Sequence, residues 1–348
     1  MSAFVEVHAR DAEKMKKSLL RNNLMDKRRN VEHSKSYVLF PVVDIASERI
    51  KKLINSGGGR IVRKRGKNAA KVSSYLDLLR EKLGDYELKR LTSGYDLLGN
   101  IALIELPKEL EGRKRTIAEA IISANGSVKT VLEKAGPVSG AYRIRKLRYV
   151  AGKRNYTANY RENGCTFVFD VRKVFFSNRL SYERSRISSL VKDGERVVVM
   201  FAGVGPFVAV IAKEHRDARV IGIELNRAAY GYMKQNIRLN RLENAEAVLG
   251  DVKKTYKRYA SYADRVIMPL PMNSELFIKE ALAVAKNNAV VHLYTFCKIG
   301  DAASAFKRIK KRAEGCGCKI KLVGARVARP YSAEEEECVL DLKVRKIG

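Results

Sequence analysis

In the second half of the chain, short apolar runs alternate with stretches whose apolar residues recur every three to four positions. The runs at 196–200, 220–224, 245–249, 265–268 and 289–294 predict strands, and 206–214, 227–240, 274–286 and 300–313 predict the helices between them. Strands joined through helices pair in parallel, so a parallel sheet with helices on both faces is expected from about residue 176 onward. Two last stretches, 319–327 and 338–344, predict an antiparallel hairpin appended to that sheet, with the acidic run 334–337 separating its strands.

The first half has a different rhythm. A helix at 11–22 and a strand at 37–43 outline a small N-terminal unit over 1–46. The segment 47–74, with three consecutive glycines and many lysines and arginines, reads as a basic linker that could also touch RNA. From 75 to 175 helices at 75–83 and 116–125 are mixed with a strand after residue 99 and strands near 128–132, 146–150, 156–160 and 165–170. The expected fold class is α/β: a Rossmann-like C-terminal sheet over 176–348, an α+β middle domain and a small N-terminal α+β domain.

Charge changes this picture. The 348 residues carry 69 Lys and Arg against 38 Asp and Glu, a net +31. Such an excess points to a polyanion, and nucleic acid fits better than an anionic membrane or mere solubility. No apolar run approaches the ~18 residues of a membrane span, so no membrane partner and a cytosolic location are expected. The five cysteines include no CxxC pair. Cys316-Gly317-Cys318 could bind a metal or form a redox pair, but no further ligand stands at suitable spacing, and buried or idle thiols with no metal are expected.

The first predicted strand of the sheet runs into a glycine-rich turn, MFAGVGPF at 200–207, and the second ends on Glu224. A strand, a glycine turn and an acid closing the next strand form the pattern by which doubly wound sheets hold a nucleoside. Pro206 stands where a dinucleotide-binding turn would offer an N–H to phosphate, so a ligand without phosphate, S-adenosylmethionine, fits better. Glu224 would accept from the ribose hydroxyls, and Asp251, after the third strand, from the adenine amine. The expected cofactor set is Phe201, Ala202, Gly203, Val204, Gly205, Glu224, Asn226, Asp251 and Pro269. The competing reading is a Rossmann-like sheet whose turns are merely tight.

Four segments, FFSNRLSYER (175–184), the turn at 200–207, DRVIMPLP (264–271) and HLYTF (292–296), together with GNIALI (99–104), resemble the archaeal and eukaryotic tRNA (guanine-37-N1)-methyltransferase family. The resemblance runs from about residue 75 to the end and less specifically covers the N-terminal unit. It implies a class I methyltransferase domain, tRNA as partner, a monomer, and tRNA-binding roles for the first two domains. It also implies that Glu183 is the general base and Arg143 its assistant. Guanine N1 carries a proton at neutral pH; a carboxylate in reach can take it, and a guanidinium can stabilise the charge that develops toward O6. Arg179, Arg184, Pro269 and Pro271 are the expected substrate contacts. The alternatives are a helix-start acid paired with Arg184 or Arg186 for Glu183, and a phosphate contact for Arg143.

Two positions depart from the family pattern. Pro269 replaces an asparagine that contacts the target base, which is compatible with the family's archaeal subgroup that also methylates C7 of 4-demethylwyosine. Val199 replaces an acid at the end of the first strand, which leaves cofactor binding to Glu224 and Asp251. Rival readings are the related aminocarboxypropyl transferase of wybutosine synthesis and a non-catalytic tRNA-binding protein. The Arg179-Leu180 and Glu183-Arg184 segment favours methyl transfer over the first, and the intact set Gly203, Gly205, Glu224 and Asp251 argues against the second.

Overall fold

The structure, a computed structural model, describes residues 2–22, 24–26, 29–34, 36–43, 48–64, 74–91, 94–140 and 142–347. The chain divides into two compact units, Met1–Glu81 and Lys82–Gly348.

In the first unit β1 (Ser2–His8), α1 (Ala12–Arg21), β2 (Glu32–His33), β3 (Tyr37–Val42), α2 (Glu48–Gly57) and β4 (Arg60–Lys64) follow in order. The strands form one antiparallel sheet, β2-β3-β1-β4. Met15 and Leu19, four residues apart on α1, share one helix face and bury it against Val5, Val7, Phe40 and Ile50. The linker expected at 47–74 is corrected here: residues 48–64 complete this sheet. Ile50, Leu53 and Ile54 recur at helical spacing, and Ile50 is fully buried. β4 then pairs with β1 over five residues. Residues 47 and 65–73 of that segment lie outside the described residues. The helix α3 (Tyr75–Leu79) closes the unit behind a capping box in which Ser74 and Asp77 exchange hydrogen bonds.

In the second unit α4 (Asp85–Arg90) precedes β5 (Asp96–Leu98), β6 (Ile101–Ile104), α5 (Lys114–Ala124), β7 (Thr130–Ser139) and β8 (Ile144–Gly152), whose strands form a sheet in that order. β6 and β7 are parallel, with α5 as their crossover, and the other pairs are antiparallel. β7 and β8 run past the expected strands, so their turn carries Arg143. A hairpin of β9 (Thr157–Glu162) and β10 (Cys165–Asp170) leads to α6 (Ser181–Ser189).

Then come β11 (Arg196–Met200), α7 (Pro206–Glu214), β12 (Arg219–Glu224), α8 (Arg227–Leu239), β13 (Ala245–Leu249), α9 (Val252–Thr255), β14 (Ala263–Met268), α10 (Ile278–Val284), β15 (Ala285–Lys298), α11 (Ala302–Glu314), β16 (Cys318–Pro330) and β17 (Glu335–Lys346). They build a seven-stranded sheet, β13-β12-β11-β14-β15-β17-β16, parallel through its first five strands and antiparallel through the last two. Val197, Val199 and Tyr294 face the side covered by Ile187 of α6 and Phe207 of α7, while Val198, Met200 and Leu293 face Ile278 of α10 and Ile309 of α11. Strands buried on both faces read as unbroken apolar runs, which is why they were visible in the sequence.

The acidic run does not separate the hairpin strands. Glu335, Glu336 and Glu337 belong to β17, and the turn is residues 331–334. Glu336 accepts from the Gly300 N–H at 3.0 Å, and Glu337, 1% exposed, accepts from Arg329 Nε at 2.6 Å. Those partners let two acids lie in a covered strand. The expectation of idle thiols fails for Cys297 and Cys338, which are joined in a disulfide between β15 and β17. Cys165 and Cys318 are buried and free, and burial pushes the Cys165 thiol up to about 11. Among the described residues no helix is long and apolar enough to cross a membrane.

Candidate active site

β11 ends in a turn with three left-handed residues, two of which are glycines. Phe201, Gly203 and Gly205 take φ of +57°, +59° and +83°. A Cβ on Gly205 would lie 2.7 Å from Met233 Cγ, whereas beside Gly203 there is open space. One glycine therefore lets α8 pack against the turn, and the other leaves room for a ligand to approach the backbone. Gly205 caps α7, and Pro206 in its first turn has no N–H to lose to the helix. Ala202 and Val204 are buried, so only their backbones could meet a ligand.

Glu224 stands at the end of the neighbouring strand and faces this turn. Its Oε2 accepts from the Gly203 N–H at 2.7 Å and its Oε1 from the Asn226 N–H at 2.7 Å. Burial raises its pKa, against these amide bonds, which lower it. Asp251 Oδ1 caps α9 through the Lys253 N–H at 2.9 Å, and the Gly250 N–H donates to Glu224 O at 3.0 Å, which draws the third strand end to the second. Asn226 is placed differently from the expectation. Its side chain caps α8 through Ala228 and Ala229 and donates to Lys173 O at 3.0 Å, so its amide is a structural brace.

That brace fixes a segment that lines a deep concavity of the unit. The cavity, about 550 Å³, is walled by Phe169, Phe175 and Phe176, by Arg143 and Arg145 from β7, β8 and their turn, and by Arg329 and Tyr331 from the C-terminal hairpin. Such a size suits one nucleobase with its sugar. Arg143 holds φ +53° and its guanidinium lies over the Phe175 ring, 4.9 Å from the centroid. Burial lowers its pKa, with Glu337 acting the other way. Arg179 also lines the cavity and donates to Asp96 Oδ1 at 2.9 Å. Met272, just past the Pro269-Leu270-Pro271 segment, closes one side. Pro269 is half-buried and Pro271 buried, so the expected substrate contact at Pro271 has no accessible face here.

Glu183, in the first turn of α6, is 1% exposed and does not line the cavity. Arg186 Nε donates to its Oε2 at 3.0 Å, and Arg326 Nε stands 3.1 Å from its Oε1. Of the two pairings that compete with a catalytic role, the one to Arg186 forms and the one to Arg184 does not. Arg184 is corrected as a substrate contact. It is 2% exposed, grips Glu162 with Nε and with Nη2 (2.7 Å), and donates to Ser177 O at 3.0 Å. Its guanidinium thus holds the β9–β10 hairpin to α6 and to the FS segment. Sequence reasoning missed Arg326, Arg329 and Tyr331, because the hairpin that carries them showed only its strand pattern.

A nucleoside-sized turn at the carboxyl ends of parallel strands, with an acid on the next strand, defines the nucleoside-binding side of a class I methyltransferase sheet. The chain belongs to the TRM5/TYW2 methyltransferase family. The TRM5/TYW2 methyltransferase domain matches residues 158–321, the TYW2 N-terminal domain residues 75–155, and the tRNA methyltransferase 5 N-terminal domain residues 5–51. Over 346 residues, 99% of each chain, the sequence is 32% identical to tRNA (guanine(37)-N(1))-methyltransferase Trm5b of Pyrococcus abyssi. The crystal structure of that protein superposes with a TM-score of 0.71 over 99% of this chain and all of that one. The tRNA 4-demethylwyosine(37)-methyltransferase Taw21 of Saccharolobus solfataricus is 35% identical over 71% of this chain and 92% of its own. A solved complex of aTrm5 with tRNALeu is similar over 98% of this chain and 99% of that one, at 28% identity and a TM-score of 0.69.

Proposed function

We propose that the protein methylates N1 of guanosine 37 in tRNA with S-adenosylmethionine, acting as a cytosolic monomer. The observation that carries this is the turn at Phe201–Gly205, open beside Gly203 and faced by the half-buried Glu224, within a family of methyltransferases. Pro206 removes an N–H that a pyrophosphate would want, so a nucleoside without phosphate suits the residues present. Phe201, Ala202, Gly203, Val204 and Gly205 offer backbone, Glu224 the ribose acceptor, and Asp251 and Pro269 the flanking walls. Bound there, S-adenosylmethionine supplies an electrophilic methyl group on a sulfonium.

The remaining steps belong to the chain. The target edge of a stacked base is shielded, so the base must be extruded before it can enter the cavity beside Phe175 and Tyr331. Arg143 faces the negative charge that develops toward O6, Arg179 holds the incoming strand, and Glu183 takes the N1 proton once Arg326 yields its place. Residues 82–155 and the N-terminal unit, both rich in lysine and arginine, grip the tRNA outside the reacting base.

Incubation with unmodified tRNA and methyl-labelled cofactor, followed by nucleoside mapping, tests the reading; label anywhere but position 37, or a transferred aminocarboxypropyl group in the product mass, rejects it. Glu183→Gln should lower turnover by roughly 10²-fold or more at nearly unchanged tRNA affinity. A second reading, methylation of C7 of 4-demethylwyosine, is favoured by Pro269, which offers no amide to select guanine. Supplying tRNA that carries the tricyclic base decides it.

A further inference from the structure

Two family-like segments, DRVIMPLP and HLYTF, contain Arg265 and His292, to which methyl transfer as described gives no role. Both lie on the sheet face covered by α6. There Ile267 pairs with His292 and His292 with Asp341, so β14, β15 and β17 set polar groups side by side in an otherwise apolar layer. Glu195 accepts from Arg265 Nε at 2.7 Å and Nη2 at 2.9 Å; Arg265 Nη1 is 2.7 Å from His292 Nε2; His292 Nδ1 is 2.6 Å from Asp341 Oδ1; Arg186 Nη1 donates to Asp341 Oδ2 at 2.9 Å. Arg186 Nε then donates to Glu183 Oε2. Arg265 is 5% exposed, and His292 and Glu183 are 1% exposed.

The polarity of this row is fixed from one end to the other. A guanidinium only donates, so His292 Nε2 must accept from Arg265, and the ring proton therefore sits on Nδ1 and is donated to Asp341. Asp341 is left to accept from Arg186 with its other oxygen. Desolvation offsets much of what such buried ions gain from one another, so stability alone is a weak account of the row. What the row does is hold one guanidinium, Arg186, against one oxygen of Glu183. The other oxygen faces Arg326 in an ion pair that lacks hydrogen-bond geometry. That side chain is 36% exposed and rests over the exposed Tyr182 ring at 5.3 Å, and neither Glu183 Oε1 nor Arg326 Nε has a hydrogen bond.

We propose that Asp341 and His292 are positioning residues for Glu183: through Arg186 they clamp Oε2 and leave Oε1 to exchange Arg326 for the substrate proton. The inference rests on the reading of Glu183 as base. In Asp341→Asn the amide must present its N–H₂ either to His292 or to Arg186, so donor meets donor and the row breaks without a change of shape. The single-turnover rate should fall on the order of tenfold, as small misplacements of a catalytic group do, while cofactor affinity and the KM for tRNA stay within about twofold.

Because the effect acts only through Glu183, the Asp341→Asn/Glu183→Gln double variant should be no slower than Glu183→Gln alone. His292→Gln, which keeps a donor and an acceptor, should retain most of the rate that His292→Leu loses; this pair serves equally if Asp341→Asn fails to fold. Rates that multiply in the double variant, or wild-type turnover of Asp341→Asn beside a crippled Glu183→Gln, overturn the positioning role alone. A fully active Glu183→Gln removes the base itself, and the positioning role with it.

Discussion

The two glycines of the cofactor turn are alike in sequence and different in what they serve. At Gly205 an added methyl meets Met233 Cγ at 2.7 Å, on a backbone already at φ +83°. Gly205→Ala should therefore cost about 1–3 kcal/mol of stability, read in thermal unfolding without ligand. At Gly203 the methyl meets nothing but stands in the ligand's approach. Gly203→Ala should lose cofactor affinity by calorimetric titration and pay only the strain of positive φ, about 1–2 kcal/mol. Equal losses of affinity and stability in the two variants would show that neither glycine has a separate task. Asp341 offers a second test at this scale. Burial raises its pKa, but the hydrogen bonds from His292 and Arg186 outweigh it and set it below the ordinary 3.8. The unfolded chain then binds this proton first as pH falls, so the carboxylate's stabilisation is present above about 3.8 and lost as pH drops through the lower, folded value. Stability curves of wild type and Asp341→Asn should converge on acidification below pH 4; parallel curves would mean that Asp341 gains nothing from its partners.

Among the elements, legibility followed the range of the interactions that decide each one. α7 has the residues expected at both ends, because Pro206 starts it and its apolar run is local. The five parallel strands and the closing hairpin were equally plain. Residues 48–64 were not, since Gly57-Gly58-Gly59 and the basic residues obscure an apolar spacing that matters only once β1 is there to pair with β4. The strand placement of Glu337 depends on Arg329 across the hairpin, which no local pattern reveals. The site divides in the same way. The turn at 200–207 and Glu224 could be read because they are contiguous with their strands, as could the i to i+3 contact of Glu183 with Arg186. The contact of Arg186 with Asp341 spans most of the domain and could not. The hairpin's share in the cavity was also hidden, and it carries its own prediction. Tyr331, tilted against Phe296 at 4.2 Å between ring centroids and half-exposed at the cavity wall, would serve as a platform for an extruded base. Tyr331→Ala should weaken tRNA use by about 1–3 kcal/mol, the worth of one base–aromatic stack, with cofactor affinity unchanged. An unaltered kcat/KM for tRNA would place the base elsewhere.

For the whole molecule the decisive quantity is the net +31, far more than the reacting site can use. The cavity holds a few arginines, and several of the acids near it are already paired. The rest of the excess is spread over the chain, including an N-terminal unit whose small core of Val5, Leu19, Phe40 and Ile50 packs two helices on a sheet. Charge of this kind acts through counterion release, so its signature is thermodynamic and shows in a salt titration. Raising salt from 50 to 200 mM should therefore raise the KM for tRNA steeply, on the order of 10³-fold if six or more phosphates are engaged, while the KM for the cofactor, which carries no phosphate, stays flat. Removing residues 1–74 should shallow that slope and weaken tRNA binding, yet leave turnover at saturating tRNA close to that of the full chain, because every residue assigned to the chemistry lies beyond residue 140. A truncated protein with the same salt slope but a lower saturating rate would reverse the assignment, giving the N-terminal unit a part in the reaction and none in the grip.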